Sequence, residues 1–158
     1  MSDPYEEIIE GETVLRFPPG TWHEELCARL HTQVSACLGL GTSARLLEPR
    51  AIVQLAPGTL IRPDLAIVTL ATNKLWLAVE VINPEDHRLD TVVKKNAYEE
   101  NKIPRLWMVD PRYDNVEIYH AGEYGLVLKE ILAGRDVLTE KLLPEFQLAI
   151  ADLFGAAT

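Results

Sequence analysis

Residues 75–82 read Leu75-Trp76-Leu77-Ala78-Val79-Glu80-Val81-Ile82, an apolar run broken by one carboxylate. A run of this length without polar alternation is the pattern of a central strand covered on both faces. Asn83-Pro84 ends it. A helical pattern follows over about 87–101. A second buried apolar run, 106–109, is stopped by Asp110-Pro111. Strand, helix and strand in that order predict a parallel, right-handed βαβ unit over 75–109.

Working outward, Thr21-x-x-Glu24 predicts a capping box, with Thr21 as N-cap and Glu24 at N3. Behind it Leu26, Leu30, Val34 and Leu38 recur every four residues, and Gly39 closes the pattern, so a helix is expected over about 21–38. Residues 8–17 read as a loose hairpin around Glu10-Gly11, ended by Pro18, Pro19 and Gly20. Residues 44–55, broken at Pro49, read as two short strand pieces or one bent strand. Pro57-Gly58 makes a turn, 64–70 is a β-rich run, and Thr72-Asn73-Lys74 turns the chain into 75–82. Beyond the βαβ unit, 116–119 and 126–131 predict a hairpin around Ala121-Gly122, and 142–154 holds a short strand and a last helical turn. The order from 21 to 110 is therefore α-β-β-β-α-β. That is an α/β fold bordering on α+β, with a mixed central sheet, an N-terminal hairpin and a C-terminal β-hairpin. Segments 64–70, 75–82 and 106–109 belong to one sheet, with 75–82 central.

The 158 residues suffice for one well-buried core, and a single domain over 1–158 is expected. The first twelve residues carry Asp3, Glu6, Glu7, Glu10 and Glu12, which is not the pattern of a secretory signal. No apolar run approaches the roughly 20 residues of a membrane span, so the cytoplasm is the expected location. Cys27 and Cys37 fall in one helix about 15 Å apart, too far to bridge. They read as small buried apolar side chains. The net charge of −9 argues against broad non-specific nucleic-acid binding, which favours basic surfaces. It leaves room for local contact at a carboxylate pair whose field a divalent cation reverses.

Glu80 is the anomaly. A carboxylate inside so apolar a strand costs several kcal/mol unless it is paired or binds metal. Either an ion pair with Arg or Lys or a metal would answer that cost. Asp64 opens its strand directly after Arg62-Pro63, in a position where Asp is disfavoured. Two acids on adjacent strands could converge on one hard cation, which prefers oxygen ligands. Asp90, Lys94 and Tyr98, spaced by four, share one helical face. On spacing alone Asp90 and Lys94 read as a surface pair. Their place on the helix after the Glu80 strand is what turns attention to them. His23, early in the first helix, reads either as a metal or water contact or as a surface histidine beside Glu24.

Arg62-Pro63-Asp64-Leu65, Val79-Glu80-Val81, Asp90-x-x-x-Lys94-x-x-x-Tyr98 and Trp107-Met108-Val109-Asp110-Pro111 stand in the order seen in the small bacterial Uma-two family. The chain resembles that family from Tyr5-Glu6 and His23 through to Leu153-Phe154. The family belongs to the PD-(D/E)XK nuclease superfamily, whose core is the same α-β-β-β-α-β order. The resemblance implies a restriction endonuclease-like fold and a Mg²⁺- or Mn²⁺-dependent endonuclease that hydrolyses phosphodiester bonds, of DNA in preference to RNA. It also implies roles. Asp64 matches the motif aspartate and Glu80 the motif acid, with the Val81 carbonyl as a further metal ligand. The usual lysine position, two after the acid, is Ile82 here, and the resemblance points to Lys94 on the next helix instead. Asn83 stands where the family often has Ser. His23, Asp90 and Tyr98 would be accessory. The alternative is a nuclease-fold binding module without catalysis. The acidic surface and the apolar C-terminal hairpin permit a homodimer.

Overall fold

In the computed structural model the described residues are 3–17, 19–38 and 43–155. Pro18 and Gly39, read above as breakers, lie outside them. A mixed six-stranded sheet organises the molecule. Its members are β3 (Ala44–Leu46), β6 (Leu65–Thr69), β7 (Leu75–Val81), β8 (Arg105–Asp110), β9 (Asn115–Gly122) and β10 (Gly125–Ala133), in the order β10-β9-β8-β7-β6-β3. β7 sits between β6 and β8, and only the β7–β8 pair is parallel. The parallel pair follows from the helical crossover between them, since a short hairpin can join only antiparallel strands.

One face of this sheet carries Leu65, Ile67, Leu77, Val79, Val81, Trp107 and Val109. Helix α1 (Thr21–Cys37) packs there through Leu26, Leu30 and Val34, together with a hairpin of β11 (Val137–Glu140) and β12 (Leu143–Ala149) and the short α3 (Ile150–Phe154). The other face carries Ala66, Ala78, Leu106 and Met108. It is covered by the crossover helix and by a four-stranded antiparallel sheet of β1 (Tyr5–Ile9), β2 (Glu12–Arg16), β4 (Val53–Ala56) and β5 (Thr59–Ile61), in the order β2-β1-β5-β4. α1, β3, β6, β7, the crossover helix and β8 give the expected α-β-β-β-α-β order. β4 and β5 are an excursion within it.

Several elements differ from the sequence reading. Gly20, not Thr21, is the N-cap of α1, and no side chain caps it. Glu24 is turned instead to an ion pair with Arg50, which competes for its carboxylate. The 44–55 segment takes the first of its two readings, two short strands, and they lie in two different sheets. The crossover is not one regular helix over 87–101. It is a single 3-10 turn at Pro84–Asp86, a π-helical stretch at Leu89–Lys94 and α2 (Lys95–Glu100). The wider π turn brings both Asp90 and Lys94 to buried positions, and such insertions are common at functional sites. The C-terminal hairpin turns at Glu123–Tyr124, past the Ala121-Gly122 expected from sequence. β5 and β11, only three and four residues long, are additions. Cys27 is buried but Cys37 is half-exposed, so only the first fits the apolar reading.

Candidate metal centre

Asp64 lies at the start of β6 and Glu80 near the end of β7. The antiparallel register pairs Leu65 with Val79, which places Asp64 abreast of Glu80 on neighbouring strands. Asp64 Oδ2 accepts the backbone N–H of Val81 at 2.8 Å. Its Oδ1 is buried and has no hydrogen-bond partner, with Arg50 Nε 3.5 Å away. An orphaned carboxylate oxygen in the interior is costly.

Glu80 is 1% exposed. Lys94 Nζ donates to its Oε1 at 2.8 Å and the Tyr98 hydroxyl to its Oε2 at 2.5 Å. Lys94 is fully buried and also reaches Glu7 Oε2 at 2.9 Å. The surface Asp90–Lys94 pair considered from spacing is thus replaced by a buried bridge between Glu80 and Glu7. Asp90 turns elsewhere. It accepts from Arg16 Nη2 at 2.8 Å and from the Asn83 N–H at 3.0 Å, which ties the strand end to the crossover helix. Arg16 in turn donates to Glu7 Oε1 at 2.6 Å.

Glu7 and Arg16 are the members that sequence reasoning missed. The signal was there in the alternation: Tyr5, Glu7 and Ile9 point the same way in β1, and Glu7 and Ile9 are buried. An acid in an inward series is the same anomaly that marked Glu80.

His23 is not a surface residue. It is 7% exposed, and its Nε2 lies 2.9 Å from the Val81 carbonyl oxygen and 3.6 Å from Asp64 Oδ2. A carbonyl can only accept, so Nε2 carries the hydrogen and Nδ1 faces Cys27 Sγ at 3.7 Å and Arg50 Nη2 at 3.5 Å. His23, Cys27 and Asp64 thereby offer ligand atoms within 4.8 Å of one another. Burial and the charge of Asp64 hold the Cys27 thiol well above its ordinary range, so it is no ready thiolate. Asp64, Glu80 and the Val81 carbonyl are the oxygen donors that a hard divalent cation prefers, whereas the triangle whose ligand atoms converge includes a sulfur that suits a soft one.

The charge balance supports the same fit. Glu7, Asp64, Glu80 and Asp90 outnumber Arg16 and Lys94 among the buried residues. Burial pushes the Glu80 carboxyl up to about 8; Lys94 opposes this, and Asp64, Asp90 and Glu7 reinforce it. Burial would raise Glu7 too, but Lys94, Arg16 and the Arg62 N–H hold it below its usual range. The sign for Glu80 follows from linkage. Its folded form binds a proton more tightly than the unfolded chain, so stability falls as pH rises between about 4.5 and 8. Glu80→Gln removes this contribution. Its urea midpoint should vary less than the parental one between those pH values, by an amount on the order of a few kcal/mol in unfolding free energy.

A family model for Uma2, described as "Putative restriction endonuclease", matches residues 2–151. The chain belongs to the Uma2 family. A solved structure titled as a "putative nuclease belonging to DUF820", from Anabaena variabilis ATCC 29413, superposes with a TM-score of 0.79 at 16% identity. The alignment covers 97% of this chain and 91% of that one, and at such identity it shows the shared fold. No curated protein matches the chain. The Uma2 assignment makes a nuclease family the setting of the Asp64–Glu80 site, and restriction endonuclease-like families generally use divalent metals. Among the described residues no helix is long and apolar enough to cross a membrane.

Proposed function

We propose that this Uma2 chain is a metal-dependent nuclease of the cytoplasm that hydrolyses phosphodiester bonds, of DNA in preference to RNA. Mg²⁺ or Mn²⁺ would be held by Asp64, Glu80 and the Val81 carbonyl, with His23 beside them. The observation that carries this reading is the Lys94 ammonium, 2.8 Å from Glu80, on the strand next to an Asp64 whose Oδ1 accepts no hydrogen bond and lies 3.5 Å from Arg50. When bound, the cation supplies charge neutralisation at a phosphate oxygen and a more acidic water. The chain's own residues do the rest. Lys94 has three N–H donors, two of them directed to Glu7 and Glu80. The third would orient a water or meet charge developing on the phosphate. Tyr98 and Lys94 fix the Glu80 carboxylate, and Asp90 fixes the backbone at Asn83, so Tyr98 and Asp90 act as positioning residues toward the acids.

Cleavage of single- and double-stranded DNA with Mg²⁺ or Mn²⁺ added, compared with Ca²⁺ and chelator, tests the reading. Metal-dependent cutting that Asp64→Asn abolishes is expected. Metal binding without cutting of any nucleic acid would favour the binding-module alternative, in which Lys94 and Tyr98 keep Glu80 locked.

We also propose a homodimer through β10. This edge strand exposes Val127, Leu128 and Ile131 at 45%, 43% and 55%, and an open apolar edge is a pairing surface. Light scattering at twice the protomer mass is the expected result, and a monomer at micromolar concentration would refute it.

A further inference from the structure

Asp64, Glu80 and Lys94 are at most 4% exposed. A substrate therefore meets them through an opening that reaches one of their neighbours. A cavity of about 510 Å³ does so, bordered by Phe17, Trp22, His23, Pro84, Pro111 and Arg112. It shares His23 with the metal centre, and Asn83, which lies two residues beyond Val81, also borders it.

We infer that this cavity receives one unpaired nucleotide, and that the substrate of the site is single-stranded nucleic acid. The inference rests on the nuclease reading above and names its substrate class.

Three features lead there. The first is the wall. Four of its side chains, Phe17, Trp22, Pro84 and Pro111, are flat or apolar, which suits the face of a base and not a row of phosphates. The volume falls within the roughly 300–1,000 Å³ of small-molecule sites.

The second is the concentration of aromatic surface. Among the described residues the exposed aromatic side chains are Phe17 (53%), Trp22 (37%), Tyr113 (69%) and Tyr124. The first two border the cavity, and Tyr113 adjoins it through Arg112, whose guanidinium lies 5.2 Å from the Tyr113 ring centroid. The rings are also braced. Arg29 stacks 5.0 Å from the centroid of Trp22, and Asp110 holds Arg112 at 2.9 Å. Rigid aromatic platforms bind bases by stacking, whatever their sequence.

The third is charge. Glu85 is the one acid on the wall, against Arg112, and the chain as a whole carries −9. Such a surface cannot draw in a duplex by its phosphates alone. Stacking on an uncharged base faces no such penalty, but in a duplex the base faces are already covered.

The test uses the full chain in metal-free buffer with labelled oligothymidylate of about a dozen nucleotides, a length within reach of known single-strand sites. The same measurement is made on a duplex of equal length. Fluorescence anisotropy reads both. The single strand should bind at least about tenfold more tightly than the duplex. Trp22→Ala and Phe17→Ala should each weaken it by about tenfold, the lower range of one lost stacking contact. Tyr124→Ala, on the distant hairpin, should leave binding unchanged. Both cavity variants alter exposed side chains, and circular dichroism checks that they fold.

Duplex binding as tight as single-strand binding, no single-strand binding at all, or parental affinity in both cavity variants would overturn the inference. The cleavage assay keeps the two readings apart. Asp64-dependent cutting of duplex unaffected by Trp22→Ala sinks the single-strand inference and leaves the nuclease standing. Trp22-dependent single-strand binding without cutting under any metal sinks the nuclease and leaves the cavity reading standing.

Discussion

Lys94→Ala should lower the unfolding free energy by about 3–5 kcal/mol and abolish metal-dependent cleavage. Both effects have one cause. Lys94 is 0% exposed and is bound to two carboxylates, Glu80 at 2.8 Å and Glu7 at 2.9 Å. Removing it leaves Glu7, which Lys94 helps to hold ionised, without that counter-ion, and it drives Glu80, already pushed up to about 8, to keep its proton; an uncompensated buried charge costs more than the pair ever contributed. Burial alone would lower the lysine's pKa, but Glu80 and Glu7 hold it well above its ordinary range, so the ammonium is charged at every pH of interest. Urea denaturation at pH 7 measures the loss. A companion substitution separates structure from chemistry. Glu80→Gln in the Lys94→Ala background should restore part of the stability above about pH 8, because no carboxyl then has to hold a buried proton against ionisation, and none of the cleavage. Additive stabilities in the two variants would show that Lys94 and Glu80 do not interact. Lys95→Ala, next along the chain, carries no such bridge and loses only a cation–π contact at 4.4 Å from the Tyr119 ring, so it should change stability by about 0.5–1 kcal/mol.

This network also shows what the sequence could and could not say. The central strand was legible because an eight-residue apolar run has few alternatives, and Glu80 was legible because it broke that run. Lys94 was legible only through its place after the Glu80 strand, and spacing alone paired it with Asp90. That pairing fails because of Glu7 and Arg16, which come from a separate sheet seventy or more residues earlier than Asp90. A long-range ion network has no local signature. Its members are read only when an inward position holds a charge. The crossover helix erred for a related reason. Periodicity assumes 3.6 residues per turn, and the π stretch at Leu89–Lys94 departs from it where Asp90 and Lys94 must both turn inward. Thr21 and Glu24 matched a capping pattern, yet Arg50 claimed the carboxylate from across the fold.

Asp64→Asn should act in the opposite sense on stability. The substitution keeps an oxygen for the Val81 N–H, now met at 2.8 Å. It removes a negative charge from a cluster in which acids outnumber bases, and it replaces an oxygen that has no hydrogen-bond partner. Arg50 and His23, at 3.5 and 3.6 Å, lose part of their attraction. These contacts are longer than hydrogen bonds, so the net change should be neutral to about 1 kcal/mol more stable. Glu80 should respond as well. Asp64 is among the charges that raise its pKa, so Glu80 should ionise at lower pH in the variant. Function should move the other way. In the parental protein a divalent cation at about one hundred times its dissociation constant should add roughly 2.7 kcal/mol to the unfolding free energy. Asp64→Asn should lose that increment along with cleavage. Thermal melts with and without Mn²⁺ make the comparison directly. A site kept ready for a cation stores the repulsion of its acids until the cation arrives. A variant that is no less stable alone and deaf to metal is the signature of such a site. A variant that is destabilised alone, yet still gains stability from Mn²⁺, would place the cation elsewhere, and the His23–Cys27 side of the cluster would be the next place to look.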